Sequence, residues 1–278
     1  MPFSTQSTSQ KGSQPPARQL HLLCHELRSS AASYTYVTST GLFQQHLDLY
    51  SGLPTAASPV VPVITFDDGH ISNYEIAAPL LAARDLSAHF FLTVGWIGTR
   101  PGFMDWPQVR ALHQAGHTIG AHSWSHALLT HCSPAQLDIE LTQARLTLED
   151  HLGAAVTTMS LPGGRANRRV LAACRAAGYT RVYTSVPQIE NSPIAFTVGR
   201  LNIRGNMQTA WLAQLFTPSS PQLARLSRAH RLKAATKSIL GDRLYAFVWA
   251  LANRKEPDAD GLSEVQDANP SSSENPSA

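Results

Sequence analysis

Val60-Val61-Pro62-Val63-Ile64-Thr65-Phe66-Asp67-Asp68-Gly69 is an apolar run ending in two adjacent carboxylates and a glycine. A short apolar run closed by a turn signal reads as a strand. Consecutive side chains on a strand point to opposite faces, so Asp67 and Asp68 cannot share a site while the chain stays extended. A sharp turn at Gly69, where a positive φ carries no steric cost, aims both into one place.

Outward from this run, strand and helix alternate. Upstream, 20–24 reads as a short strand, and 40–50 as a helix with Leu42, Phe43, His46, Leu47 and Leu49 on its apolar face. Downstream, 73–84 reads as a helix kinked by Pro79, and 88–93 as a strand. Pro107 opens a helix over 107–115 with Gly116 just past its end. The strand 118–121 delivers His122. A helix over 133–152 takes Ser133 as its cap and Gly153 as its stop. Strand 157–161 ends in Pro162-Gly163-Gly164, helix 167–177 stops at Gly178, and 179–184 and 196–199 read as strands. This alternation predicts an α/β fold with parallel strands. The candidate site residues follow strand ends, the placement of an α/β barrel, although spacing alone leaves a doubly wound sheet open.

His122-Ser123-Trp124-Ser125-His126 supplies the chemistry that an Asp-Asp pair lacks alone. Imidazole nitrogens are the borderline ligands that Zn²⁺ and its first-row relatives prefer. Two histidines and one carboxylate leave coordination positions open, as in a catalytic metal site. The bland alternatives are an Asp-Gly turn and two surface histidines in a chain with 12 His. His70, His89, His113, His117 and His131 have no comparable context and read as packing or surface residues.

Thr65–Gly69 and the His122/His126 pair resemble the first two motifs of the polysaccharide deacetylases, the NodB-homology enzymes of carbohydrate esterase family 4. Phe90-Phe91-Leu92-Thr93-Val94 resembles the family's next strand. Met104, Trp106, Val109–Leu112 and Gly116–Gly120 resemble the approach to the second motif. The resemblance covers about 19–207 and implies a distorted barrel of about seven strands. It implies an enzyme that removes acetyl groups from an N-acetylated glycan with a divalent metal, expected to be zinc. It assigns Asp67 as general base and Asp68, His122 and His126 as metal ligands. Ser160-Leu161-Pro162-Gly163-Gly164-Arg165 resembles the third motif, usually Arg-x-Pro-x-Gly, but Ser160 stands at the usual arginine. Arg165 is therefore expected to pair with Asp67 in its place, and the Gly163 N–H to face a developing oxyanion. The alternative is a plain turn with a solvated arginine. The family's late histidine is absent. Leu22-Leu23-Cys24-His25-Glu26 instead resembles the opening of the poly-N-acetylglucosamine deacetylases, whose motif order is permuted, and makes His25 the expected acid. The alternative is a surface histidine at a strand end.

A net charge of +3 over 278 residues is too small to argue for nucleic acid. The charge is uneven: 219–254 carry seven Lys/Arg against one Asp, a net of +6, and 255–278 carry one Lys against six acids, a net of −5. The expected organisation is a disordered segment over 1–18, a deacetylase domain over 19–218, a basic helical extension over 219–254 and a disordered acidic tail over 255–278. The stretch 221–254, with Arg225, Arg228, Arg231 and Lys233 before Tyr245, Phe247, Trp249 and Leu251, suits either peripheral membrane contact or packing on the barrel. No obligate protein partner is expected. Cys24, Cys132 and Cys174 form no CxxC spacing, which points to a reduced compartment. The first twenty residues lack an apolar signal core, and no run of 18 apolar residues exists, so the expected location is the cytoplasm. Two other functions fit the same residues: hydrolysis of a C–N bond in a small amide, and catalytically silent carbohydrate binding.

Overall fold

The computed structural model describes residues 18–30, 32, 34–53, 60–217, 220–229 and 232. The chain divides after residue 230, and every described residue except Leu232 lies in the first unit. Its strands are β1 (Arg18–Cys24), β2 (Glu26–Arg28), β3 (Val37–Ser39), β4 (Val60–Phe66), β5 (Ala88–Leu92), β6 (Thr118–Ala121), β7 (Thr158–Ser160), β8 (Arg181–Tyr183), β9 (Thr197–Val198) and β10 (Arg200–Asn202). β2 and β3 pair separately. The others form one parallel sheet in the order β10-β1-β4-β5-β6-β7-β8-β9. Its two end strands, β9 and β10, are parted in sequence by Gly199 alone, so the sheet is a nearly closed barrel. With 197–202 counted as one bent strand, seven strands surround the axis, as expected. β10 itself escapes the sequence reading, because Arg-Leu-Asn is too short and polar to show a period.

Helices cover the outside. α1 (Thr40–Ser51) is capped by Ser39 and buries Phe43, His46, Leu47 and Tyr50. The helix expected over 73–84 is a π-wound turn, Asn73–Ala77, running into α2 (Ala78–Ala82). Pro79 donates no hydrogen bond, and its ring crowds the carbonyl four residues back, so the preceding turn winds wider. α3 (Trp106–Gln114) starts in a capping box between Asp105 and Gln108. The segment opened by Ser133 comprises α4 (Pro134–Asp138), a π-wound turn Ile139–Gln143 and α5 (Ala144–Leu152), and stops at Gly153 in the left-handed region (φ 64). α6 (Arg168–Ala176) is capped by Asn167, and α7 (Thr209–Ala213) follows β10.

Strand alternation sorts two cores. Leu20, Leu22 and Cys24 of β1 join the large cluster beneath the helices, while Phe91, Tyr183 and Val198 form a small cluster inside the barrel. Gly120 makes room for it: a Cβ there would sit 2.6 Å from the Phe91 ring and 2.5 Å from Thr158 Oγ1. Burying a ring of this size is worth about 1.5–3 kcal/mol. Below it lie His21 and His89, each within ring contact of Tyr183. Glu190, bonded to His21 Nε2 at 2.6 Å and Arg181 at 2.5 Å, closes the lower end. All three cysteines are buried and free.

Residues 221–229 are helical, with Leu223 buried in the main core and the Ser227 hydroxyl bonded to the Pro187 carbonyl. The first turns of the basic stretch therefore pack on the barrel. The rest of that stretch, Leu232 excepted, and the acidic tail lie outside the described residues, as does the N-terminal segment up to residue 17. β1 begins at Arg18, one residue inside the segment expected to be disordered. Among the described residues, no helix is long and apolar enough to cross a membrane.

Candidate active site

β4 carries Asp67 to the C-terminal mouth of the barrel, where its N–H bonds the Cys24 carbonyl at 3.1 Å. The chain then reverses through Asp68 (φ 74) and the expected Gly69 (φ 89), so the turn begins one residue earlier than the glycine alone would give. The Gly69 N–H returns to the Asp67 carbonyl at 3.0 Å, a γ-turn of the rare positive-φ kind. This turn lets two consecutive carboxylates enter one site. Thr93 and Met104 hold it from the next loop, their N–H groups bonding the Asp68 and Gly69 carbonyls at 3.3 and 3.0 Å.

β6 ends at Ala121 and releases His122, and a short loop brings back His126. Asp68 Oδ1 lies 3.3 Å from His122 Nε2 and 3.4 Å from His126 Nε2. Neither contact has hydrogen-bond geometry, and Asp68 Oδ1 is buried without a hydrogen-bond partner. One ligand atom from each of the three residues falls within 4.8 Å of the others. The His122 Nδ1 faces the Ser160 carbonyl at 2.9 Å. A carbonyl only accepts, so Nδ1 carries the hydrogen and the Nε2 lone pair is turned toward Asp68. Ligands bonded at about 2.0–2.1 Å in a tetrahedron stand about 3.3–3.4 Å apart, so this donor set fits a zinc-sized cation. Burial pushes the Asp68 carboxyl up, but the two imidazoles facing it outweigh burial and hold it well below the usual carboxylate range. Burial lowers the His122 imidazole, while Asp67 and Asp68 outweigh that and raise it. Asp68, Ser123 (φ 66) and His126 (φ 66) all occupy the left-handed region, which costs of order 1–3 kcal/mol at each non-glycine residue.

Asp67, 2% exposed, faces inward. The guanidinium paired with it belongs to Arg200, not to the expected Arg165. Arg200 Nη1 donates to Asp67 Oδ1 and Nη2 to Oδ2, each at 2.7 Å. Ser160 Oγ donates to Asp67 Oδ2 at 2.8 Å and accepts from Arg200 Nη2 at 2.6 Å. Arg200 is fully buried and also reaches Thr65 Oγ1 at 3.2 Å and the Thr184 carbonyl at 3.3 Å. Burial raises the Asp67 carboxyl, but the Arg200 charge, His122 and the Arg200 hydrogen bonds together leave it below its ordinary value. Arg165 is half-buried just after the Pro162–Gly164 turn. The small Ser160 leaves room for an arginine arriving from β10. The missed signal was an arginine between the apolar Val198 and Leu201, which, once buried, needs a carboxylate for company.

His25, the residue after β1, is brought to the same mouth. Its Nδ1 is buried without a hydrogen-bond partner, its ring packs on Tyr36 (centroids 5.1 Å apart), and Asn73 Nδ2 holds its carbonyl at 2.7 Å. Burial lowers its pKa, opposed by the nearby charges of Asp68 and Asp67. Gly163 is exposed at φ 64 in the turn after β7. His126 stacks on Trp96 at 5.3 Å. Glu140, which no sequence motif flagged, is buried against the loop between the two histidines.

Fold and site together define a parallel α/β barrel with a carboxylate–histidine cluster at its C-terminal mouth. The sequence profile described as "Polysaccharide deacetylase" matches residues 56–182, and over that segment the chain is similar to the polysaccharide deacetylases. YxkH of Bacillus subtilis (strain 168) is 30% identical over 125 residues, covering 45% of this chain and 44% of its own. A chitin deacetylase of Pestalotiopsis sp is 29% identical over 136 residues, 49% of this chain and 45% of its own. The chain thus spans less than half the length of these relatives. The deacetylase PplD of Streptococcus pyogenes, solved with acetate, shares the fold with a TM-score of 0.65 at 21% identity, covering 73% of this chain and all of its own. IcaB from Ammonifex degensii does so with a TM-score of 0.60 at 22% identity, covering 70% and 95%. β1 with His25, and β10 with Arg200, lie outside the matched segment.

Proposed function

We propose that this chain is a metal-dependent N-deacetylase that hydrolyses the acetamide of an N-acetylated sugar, releasing acetate and a free amine. The observation that carries this reading is the convergence of Asp68, His122 and His126 beside a second, ion-paired carboxylate. Asp68, His122 and His126 would hold a divalent cation, zinc by the character of the donors. When bound, such a cation supplies Lewis acidity toward the acetyl carbonyl and makes water more acidic.

Asp67 is the base. Its two oxygens are gripped by Arg200 and Ser160, which keep it ionised and fix its direction. It accepts the proton of the attacking water. We assign stabilisation of the oxyanion to the Gly163 N–H, in the turn after β7. His25 donates a proton to the leaving nitrogen, and its unbonded Nδ1 supports that role. The substrate class draws on the relatives' names, which include chitin deacetylase and peptidoglycan-N-acetylglucosamine deacetylase. Both act on an N-acetylated hexosamine, and we assign the same unit here.

The test is acetate release from a panel of N-acetylated glycans and small amides, with protein stripped of metal and then restored with zinc. Turnover on glycans that returns with zinc supports the reading. Turnover on small amides alone, or none on either, overturns it.

A further inference from the structure

The loop 122–126 must hold two imidazoles at a fixed spacing while its backbone is strained at Ser123 and His126. One internal bond helps, the His126 N–H to Ser123 Oγ at 2.9 Å. The loop's carbonyls are held from one side: Val94 N–H bonds the Ser123 carbonyl at 3.1 Å and Gly95 N–H the Trp124 carbonyl at 2.8 Å. A side chain at Gly95 could not approach this closely, since a Cβ would lie 2.8 Å from that oxygen.

The loop's amides are held from the other side by one carboxylate. Glu140 Oε2 accepts from the Trp124 and Ser125 N–H groups, both at 2.9 Å, and Oε1 accepts from Ser125 Oγ at 2.5 Å. Glu140 is only 6% exposed. A buried carboxylate is unfavourable without such donors, so this one is kept where three converge. It sits in the π-wound turn between α4 and α5, where the changed pitch redirects a side chain from its helical row.

We propose that Glu140 is the positioning residue of the metal loop: by clamping Trp124 and Ser125 it sets the His122–His126 spacing and thereby the affinity for the cation. This inference rests on the metal reading above. It acts through hydrogen-bond geometry, so its charge is dispensable. Glutamine can present its carbonyl to both N–H groups and its NH₂ to Ser125 Oγ, whereas leucine can do neither.

The experiment measures zinc affinity by competition with a chromophoric chelator in the wild type, Asp68→Asn, Glu140→Gln, Glu140→Leu and Ser125→Ala. Thermal midpoints of each protein are taken with and without zinc. Loss of an outer-shell partner typically weakens metal binding about 10–100-fold. Glu140→Leu is expected in that range, Ser125→Ala at the low end or below it, and Glu140→Gln within about threefold of wild type. The zinc-induced rise in midpoint should shrink in the same order. Ser125→Ala, truncated at an exposed position, keeps the test decisive if Glu140→Leu does not fold: undiminished affinity there, beside a folded Glu140→Gln of full affinity, would overturn the clamp. Equal zinc affinity in wild type and Glu140→Leu, with only a lower midpoint in both states, would reduce Glu140 to an ordinary structural residue. A wild type that binds no zinc, or an Asp68→Asn that binds as well as wild type, would instead overturn the metal reading itself.

Discussion

Replacing Arg200 by methionine removes a charge and keeps much of the volume. In the folded protein this deletes both bonds to Asp67 and the bond to Ser160 Oγ, and leaves a carboxylate that is 2% exposed without its counter-charge. Breaking a buried pair on one side costs about 3–5 kcal/mol, because the surviving charge stays buried. That loss is expected in urea unfolding at pH 7.5. Its pH dependence follows from the sign of the shift. In the wild type Asp67 lies below its ordinary value, because Arg200 and His122 outweigh burial. Its contribution to stability is therefore present above the unfolded carboxyl's pKa, about 3.9, and is lost as pH falls through the lower folded value. Without Arg200, burial is the largest influence left and the carboxyl titrates higher. Acidification then neutralises the stranded charge, so the gap between wild type and variant should narrow as pH falls toward 4. The acid limb of acetate release should also move to higher pH, since a base that holds its proton cannot take another. A gap under about 1 kcal/mol at pH 7.5, or one that does not change with pH, would refute the reasoning.

His25→Ala should lower turnover on an amide about 10²–10⁴-fold with metal content unchanged, and less on an aryl acetate, whose leaving group needs no proton; steady-state kinetics on both substrates checks it. His21 is buried and His89 half-buried, and burial holds both to about 4, His21 even beside Glu190, whose charge Arg181 already engages. The unfolded imidazoles protonate near 6.5, so between about 6.5 and 4 the unfolded state binds more protons and stability falls with pH, by roughly 1.4 kcal/mol per unit for each histidine; urea midpoints from pH 7 to pH 4.5 should show this slope, and His21→Gln with His89→Gln should flatten it. Tyr34, 55% exposed, heads an aromatic chain through Tyr36 to His25. Stacking on a sugar face predicts that Tyr34→Ala raises KM about two- to tenfold with kcat little changed, and an unchanged KM would remove Tyr34 from the substrate path.

The parts of this protein legible in its sequence are those whose determinants are local. The apolar run of β4, the Ser133 cap and the Gly153 stop each act within a few residues, and each reads correctly. The His122/His126 pair is legible because both ligands come from one loop. Arg200 is not, because its meaning lies in a carboxylate 133 residues away and in the smallness of Ser160. Arg165 stood in sequence near the vacated arginine position, but the turn that follows β7 leaves it half-buried outside the barrel's ion pair. The reversal was expected at Gly69 because glycine tolerates positive φ. Gly69 does take a positive φ (89), but Asp68 (φ 74) takes one as well, because a γ-turn there brings the second carboxylate back to the first. Glu140 carries no motif at all, since a π-wound turn turns it toward the loop and helical periodicity does not foresee that turn.

Zinc content and acetate release, measured together on wild type, Asp67→Asn and Asp68→Asn, test the division of labour between the two carboxylates most directly. The account predicts that Asp68→Asn loses both metal and activity, having lost a ligand. Asp67→Asn should keep its zinc and lose activity about 10²–10⁴-fold, the usual worth of a general base. Metal lost from Asp67→Asn and retained in Asp68→Asn would contradict the assignment, and full activity in metal-stripped wild type would contradict the mechanism.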